Sequence, residues 1–271
     1  MNYRVQISCN KILVVGAGGT GSLVVDGLCR LLVGHEEAPL FIIDPDRVEA
    51  QNVRRQNFYL GDIGKFKSQV LAERYSRLYG RQIAYSVYPF ERDMVEHASG
   101  QFHSELAVNA LIIGCVDNYM ARRSIAESIK TLNWWLDAGN GYHSGQVLFG
   151  NVESLESMVN TFDDKLGIVK HLPMPSVQMP ELLMPSPLPV KQQDCADAVE
   201  DNLQSPVINH AMATLVLEFV HRIITNKLEW MGAYLDMEAG TLKTVPISEV
   251  TVSRMLSMQV NDLKYCPNRK F

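Results

Sequence analysis

Residues 14–22 read Val-Val-Gly-Ala-Gly-Gly-Thr-Gly-Ser, and Gly16, Gly18 and Gly21 fit the spacing G-x-G-x-x-G with Gly19 inside it. A backbone without side chains lets phosphate oxygens approach the amides, and a helix N-terminus behind it adds donors and a favourable dipole. Asp44 follows at about the interval at which a carboxylate that holds a ribose is expected, with Asp46 competing for that role. Asn52, Arg55, Gln56 and Lys67 come next. Hydride transfer has no use for two cations behind the ribose-binding acid, whereas a site that develops charge on α- and β-phosphates does. Arg supplies a planar fork of donors and Lys a compact charge. Asp117 closes a third apolar run and is placed to hold Mg2+, which keeps waters and takes only one or two carboxylates. Each feature also has a plainer reading. The glycines can form a turn without a ligand, Asp44 a solvated strand end, the cations a wet surface, and Asp117 the cap of the next helix.

The elements that must position these residues follow from apolar periodicity. Lys11–Val15, Leu40–Ile43 and residues 83–88, 110–113, 134–137 and 145–149 read as strands. Residues 20–32, Lys67–Tyr79, 91–97, 118–130 and 203–225 read as helices, and 233–237 with 242–245 as a hairpin. The expectation is an α/β, Rossmann-like fold: a mixed, mostly parallel sheet with helices on both faces, plus a C-terminal antiparallel or crossover segment. Parallel strands share one C-terminal edge, which sets Asp117 beside the glycine loop. Three segments are expected: 1–150 for nucleotide binding, 151–202 as a crossover, and 203–271 completing the fold. Six prolines lie between 172 and 190, so that stretch is expected to be extended, a linker or a crossover.

The chain of 271 residues is 46% hydrophobic and 20% charged, with a net charge of −5. No basic footprint for nucleic acid is present. No apolar run reaches the roughly 18 residues of a membrane span, and the first residues do not resemble a signal peptide. Five scattered cysteines (Cys9, Cys29, Cys115, Cys195, Cys266) form no C-x-x-C pair, which favours reduced thiols in a cytoplasm.

Four blocks carry a family resemblance: residues 14–22; Asp44 through Asn52-Val53-Arg54-Arg55-Gln56; Gly64-Lys65-Phe66-Lys67; and Asp117-Asn118-Tyr119-Met120-Ala121-Arg122. In this order and spacing the chain resembles the E1-like activating-enzyme superfamily, the ThiF/MoeB/HesA group. Its length and tail also resemble the ThiF-like member of the PRTRC cassette. The resemblance implies an ATP- and Mg2+-dependent adenylyltransferase acting on the C-terminal glycine of a small β-grasp protein, ubiquitin-like or sulfur-carrying. By motif, Asp44 would hold the ribose, Asn52, Arg55 and Lys67 the phosphates with Gln56 behind them, and Asp117 Mg2+. It also implies a homodimer in which an early arginine, here Arg4, completes the partner's site. Relatives often hold zinc with two C-x-x-C pairs, so no structural zinc is expected.

Some relatives pass the acyl group to a cysteine. Cys195, after the prolines and in polar sequence, is the candidate nucleophile, yet Asp194, Asp197 and Glu200 would raise its thiol pKa. An unreactive loop cysteine stays open beside a thioester. Two other functions stay open: a non-catalytic scaffold of E1-like fold that binds nucleotide and a protein partner, and a dinucleotide oxidoreductase.

Overall fold

The computed structural model describes residues 3–7, 11–35, 38–97, 110–129, 133–185 and 206–265. After a short strand, β1 (Arg4–Val5), comes β2 (Lys11–Val15), buried along its whole length. Its residues alternate between two cores. Ile12 and Val14 join the cluster on one face of the sheet, and Leu13 and Val15 the cluster on the other. A strand with no polar face belongs in the middle of a sheet covered on both sides.

Strands and helices then alternate: α1 (Gly19–Leu31), β3 (Leu40–Ile43), α2 (Lys67–Tyr79), β4 (Ile83–Ser86), α3 (Arg92–His97), β5 (Ala110–Gly114), α4 (Tyr119–Ser128) and β6 (Trp134–Asn140). Strands β4, β3, β2, β5 and β6 are parallel neighbours in that order. Because β3 lies on one side of β2 and β5 on the other, the connections diverge at the C-terminal end of β2 and open a crevice there.

The sheet continues antiparallel through β7 (Ser144–Gly150). Two short strands, β8 (Phe162–Asp163) and β9 (Ile168–Val169), form a small second sheet with β1. Helices α5 (Pro175–Gln178) and α6 (Pro206–Ile224) follow. Strand β10 (Trp230–Asp236) then pairs with β7, and β11 (Thr241–Pro246) with β10, which completes eight strands. Helices α7 (Glu249–Leu256) and α8 (Val260–Leu263) close the described chain. The mixed, mostly parallel sheet expected from the sequence is therefore present; its antiparallel strands are β7, within residues 1–150, and β10 and β11, within residues 203–271.

Two expectations are corrected. The described part of the proline-rich stretch, residues 172–185, is not an extended linker. It folds into α5 and a 3-10 turn, Pro180–Leu183, each opened by proline at a position whose missing N–H costs nothing. Leu172, Met174 and Leu182 are buried, and a Cβ on Gly150 would fall 1.9 Å from the carbonyl oxygen of Pro173. Residues 186–190 lie outside the described residues. The second correction concerns α6: its segment Val207–Ile224 is long and apolar enough, by length and composition, to cross a membrane. Here Ile208, Met212, Val216, Phe219 and Val220 are fully buried in the core and α6 packs against α1, so core packing accounts for that apolar face.

Candidate active site

The glycine loop links β2 to α1. Gly16 has φ +89°, and a Cβ there would stand 2.6 Å from the Cys115 carbonyl oxygen. A Cβ on Gly21 would fall 1.9 Å from the Gly16 oxygen, and one on Gly19 2.3 Å from Nδ2 of Asn209. Gly16 and Gly21 are required by packing against backbone, whereas a Cβ on Gly19 would displace the Asn209 side chain. Gly18 differs, since the only atom near its absent Cβ is Nε2 of Gln56, 4.0 Å away. It is the N-cap of α1, and no side chain caps the helix, so the first-turn amides face the crevice without a side-chain acceptor. Gly16, Gly18 and Gly19 line the cavity, whereas Gly21 is buried behind it.

Asp44 ends β3 and is 5% exposed. Its Oδ2 accepts from the Ala17 amide at 2.5 Å and its Oδ1 from the Asp46 amide at 2.8 Å. Burial raises its pKa, and the Ala17 amide opposes that rise. Asp44 thus pins the glycine loop while each oxygen, accepting one hydrogen bond, keeps further lone-pair capacity on a residue that lines the cavity. Lys67 opens α2, is 7% exposed, and sets Nζ 3.0 Å from Oδ2 of the exposed Asp46. Ser68 fixes that helix start, donating to the carbonyls of Asp44 and Ser86.

Between β3 and α2, a 3-10 turn, Ala50–Arg54, presents Arg55 and Gln56 to the cavity. Nε of Arg55 and Oε1 of Gln56 are buried with no hydrogen-bond partner among the described residues. Asn52, expected at the phosphates, is not on the cavity wall. It is buried, and its Oδ1 accepts from the Glu49 amide at 2.9 Å in a reciprocal cap. It holds the turn that presents Arg55. Asp117, beyond β5, is exposed and lines the cavity with no partner among the described residues. The capping role falls to Asn118, whose Oδ1 accepts from the Ala121 amide at 2.8 Å.

These groups enclose a cavity of about 1300 Å³, closed on the far side by residues 138–142 and Gln146. Beneath it Arg122 grips the fully buried Asp137, with Nε 3.1 and 3.2 Å from the two carboxylate oxygens. Burial raises the Asp137 pKa, and Arg122 opposes the shift. Asp137 had a readable signal, a lone acid in an apolar strand, but its partner was not legible. Asn140, Gln146 and Asn209 carried none, because only the tertiary fold brings them to the site.

Cys115 lines the cavity, but burial lifts its thiol to about 12, so it is not a thiolate at neutral pH. Cys29 is buried with its thiol likewise pushed up to about 12. Cys195, Cys9 and Cys266 lie outside the described residues. Arg4 is exposed on β1, in the small second sheet, and does not line this cavity.

The fold and cavity define a Rossmann-type α/β protein with its site at the switch point of the sheet. The chain belongs to the ThiF family, whose family model matches residues 3–255. It is 31% identical over 154 residues to ubiquitin-like modifier-activating enzyme 5 of Culex quinquefasciatus, covering 53% of this chain and 38% of that protein. It is 37% identical over 75 residues to adenylyltransferase and sulfurtransferase UBA4 of Yarrowia lipolytica, covering 28% and 18%. The chain thus spans at most 38% of the length of these relatives. Among solved structures, PaaA superposes with a TM-score of 0.56 at 18% identity, covering 88% of this chain and 64% of PaaA. MccB of E. coli superposes with the same score at 13% identity, covering 88% and 63%. These two likenesses show the fold alone.

Proposed function

We propose that this protein adenylates the C-terminal glycine carboxylate of a small ubiquitin-like or sulfur-carrier protein, using ATP. The carboxylate oxygen attacks the α-phosphorus, the bond to the β-phosphate oxygen breaks, and pyrophosphate leaves the acyl-adenylate behind. The observation that carries this reading is the buried donor Arg55 Nε, without a hydrogen-bond partner among the described residues, beside Lys67 and the open Gly18 on the cavity wall. A buried donor without a partner is costly, so a cavity that keeps one is shaped for a ligand that will accept from it. A triphosphate fits that donor set. Asp44 would take the ribose, Arg55 and Lys67 the phosphates, and Asp117 Mg2+. When bound, Mg2+ would neutralise phosphate charge.

The names of the relatives support an activating enzyme and a small protein substrate. The narrower assignment to the PRTRC cassette belongs to this proposal. So do the homodimer and the cytoplasmic setting. Should the acyl group pass to a thiol, Cys195 is the candidate for its place in polar sequence after the prolines, and burial keeps Cys29 and Cys115 protonated. The Cys195 thiolate would attack the acyl carbon and release AMP.

Mass spectrometry of enzyme, ATP, Mg2+ and a carrier ending in glycine tests this reading. A carrier heavier by one AMP is expected, and no adduct with any glycine-ending carrier contradicts it. A reductant-sensitive enzyme–carrier adduct that disappears in Cys195→Ser would add the thioester step.

A further inference from the structure

Helix α6 is apolar over most of its length, yet its fourth residue, Asn209, is a fully buried amide. A buried amide is tolerated only where it is satisfied, and asparagine is a weak helix former, so a local cost is borne at this position. Its partners come from three separate parts of the site. Nδ2 donates to the Arg55 carbonyl at 3.4 Å. Oδ1 accepts from Nδ2 of Asn140, at the end of β6, at 3.1 Å. The hydroxyl of Thr20, in the first turn of α1, lies 3.4 Å from Oδ1 of both Asn209 and Asn140. Gly19 lacks a side chain where the Asn209 amide stands.

We infer that Asn209 is a positioning residue, a clasp that sets the glycine loop and Arg55 in register for phosphate. The inference rests on the adenylation reading for its ligand but not for its geometry. Nε of Arg55 is buried without a partner among the described residues, and the Arg55 carbonyl is the group Asn209 holds. Fixing that backbone fixes where the guanidinium stands relative to the open edge at Gly18. Through Asn209 the clasp also ties Asn140, on the far cavity wall, to Thr20 and Arg55, so the two walls cannot separate without breaking it. Its bonds are long, and each is individually weak. Together they hold elements that no covalent neighbour joins.

Hydrogen exchange of the whole chain without nucleotide tests the clasp. Asn209→Ala should speed exchange in peptides 16–22 and 49–58 by roughly tenfold while β2 and β5 stay protected. Unchanged exchange in those peptides would overturn it. Asn140→Ala removes one partner from outside the helix and should act in the same direction, more weakly, should the first variant fold poorly.

The ligand role is tested by ATP affinity in a double-mutant cycle. Asn209→Ala should weaken ATP by about tenfold, the weight of one or two lost hydrogen bonds. In an Arg55→Ala background the same change should cost little. Full additivity would show a merely structural residue and overturn the positioning role. If the unaltered protein binds no ATP, the adenylation reading falls, while the exchange result alone decides the clasp.

Discussion

Arg55 and Lys67 reach the cavity in different states. Lys67 already has a counter-ion in Asp46, whereas Nε of Arg55 has no partner among the described residues. Arg55→Ala therefore removes a donor held ready for charge, and we expect kcat/KM for pyrophosphate exchange to fall about 100- to 1000-fold, about 3–4 kcal/mol. An exchange rate within twofold of the unaltered protein would remove Arg55 from the site. Asp117→Ala should still bind ATP but lose turnover, as calorimetry followed by exchange would show. The glycines separate by what surrounds them. Gly21→Ala drives a methyl into the Gly16 carbonyl and should lower Tm or abolish folding, while Gly18→Ala should keep Tm and weaken ATP. Thermal melts of the two variants check this. Asp44, Arg55, Gln56 and Lys67 line one cavity, a grouping legible in the sequence because a parallel strand order sets the strand ends and the loops after them along one edge of the sheet. Asn52 and Gly21 were misplaced because spacing does not tell a residue that touches a ligand from one that holds its neighbour.

Arg122 on α4 and Asp137 on β6 form a buried pair that joins two elements beneath the cavity. Arg122→Met leaves a buried carboxylate without its counter-charge and should cost about 3–5 kcal/mol, read as a shift in urea midpoint. His171, in the connection between β9 and α5, sets Nδ1 3.2 Å from Nδ2 of Asn151. Burial, with Lys170 nearby, lowers its pKa below the ordinary 6.5. Between the lowered folded value and 6.5 the unfolded chain holds more protons. Stability from this group is therefore full above 6.5 and is lost as pH falls through that window. His171→Gln should flatten the pH dependence of unfolding there, and an identical slope in both proteins would contradict the assignment. Residues 172–185 of the proline-rich stretch were misread from composition, because the same residue that breaks a helix interior opens a helix at its first position. What decided between these was burial of Leu172, Met174 and Leu182, a tertiary fact.

Across the whole molecule, the alternation of strands and helices up to β6 was readable because each strand is a short apolar run ended by a polar or glycine turn. The crevice at the end of β2 followed from the parallel order. The sequence did not disclose that α6, distant along the chain, packs on α1 and sets Asn209 against the glycine loop. Nor did it disclose that β7, β10 and β11 extend the same sheet beyond the cavity. That single frame carries both walls of the cavity, so Arg55 and Lys67 and residues 138–142 face one space. ATP–pyrophosphate exchange in the presence of a small β-grasp protein ending in glycine tests this most directly. Exchange that requires both the carrier and its terminal glycine, and that collapses in Arg55→Ala, is the expected result. Tight ATP binding with no exchange for any such carrier would contradict the adenylation account and leave a nucleotide-binding scaffold.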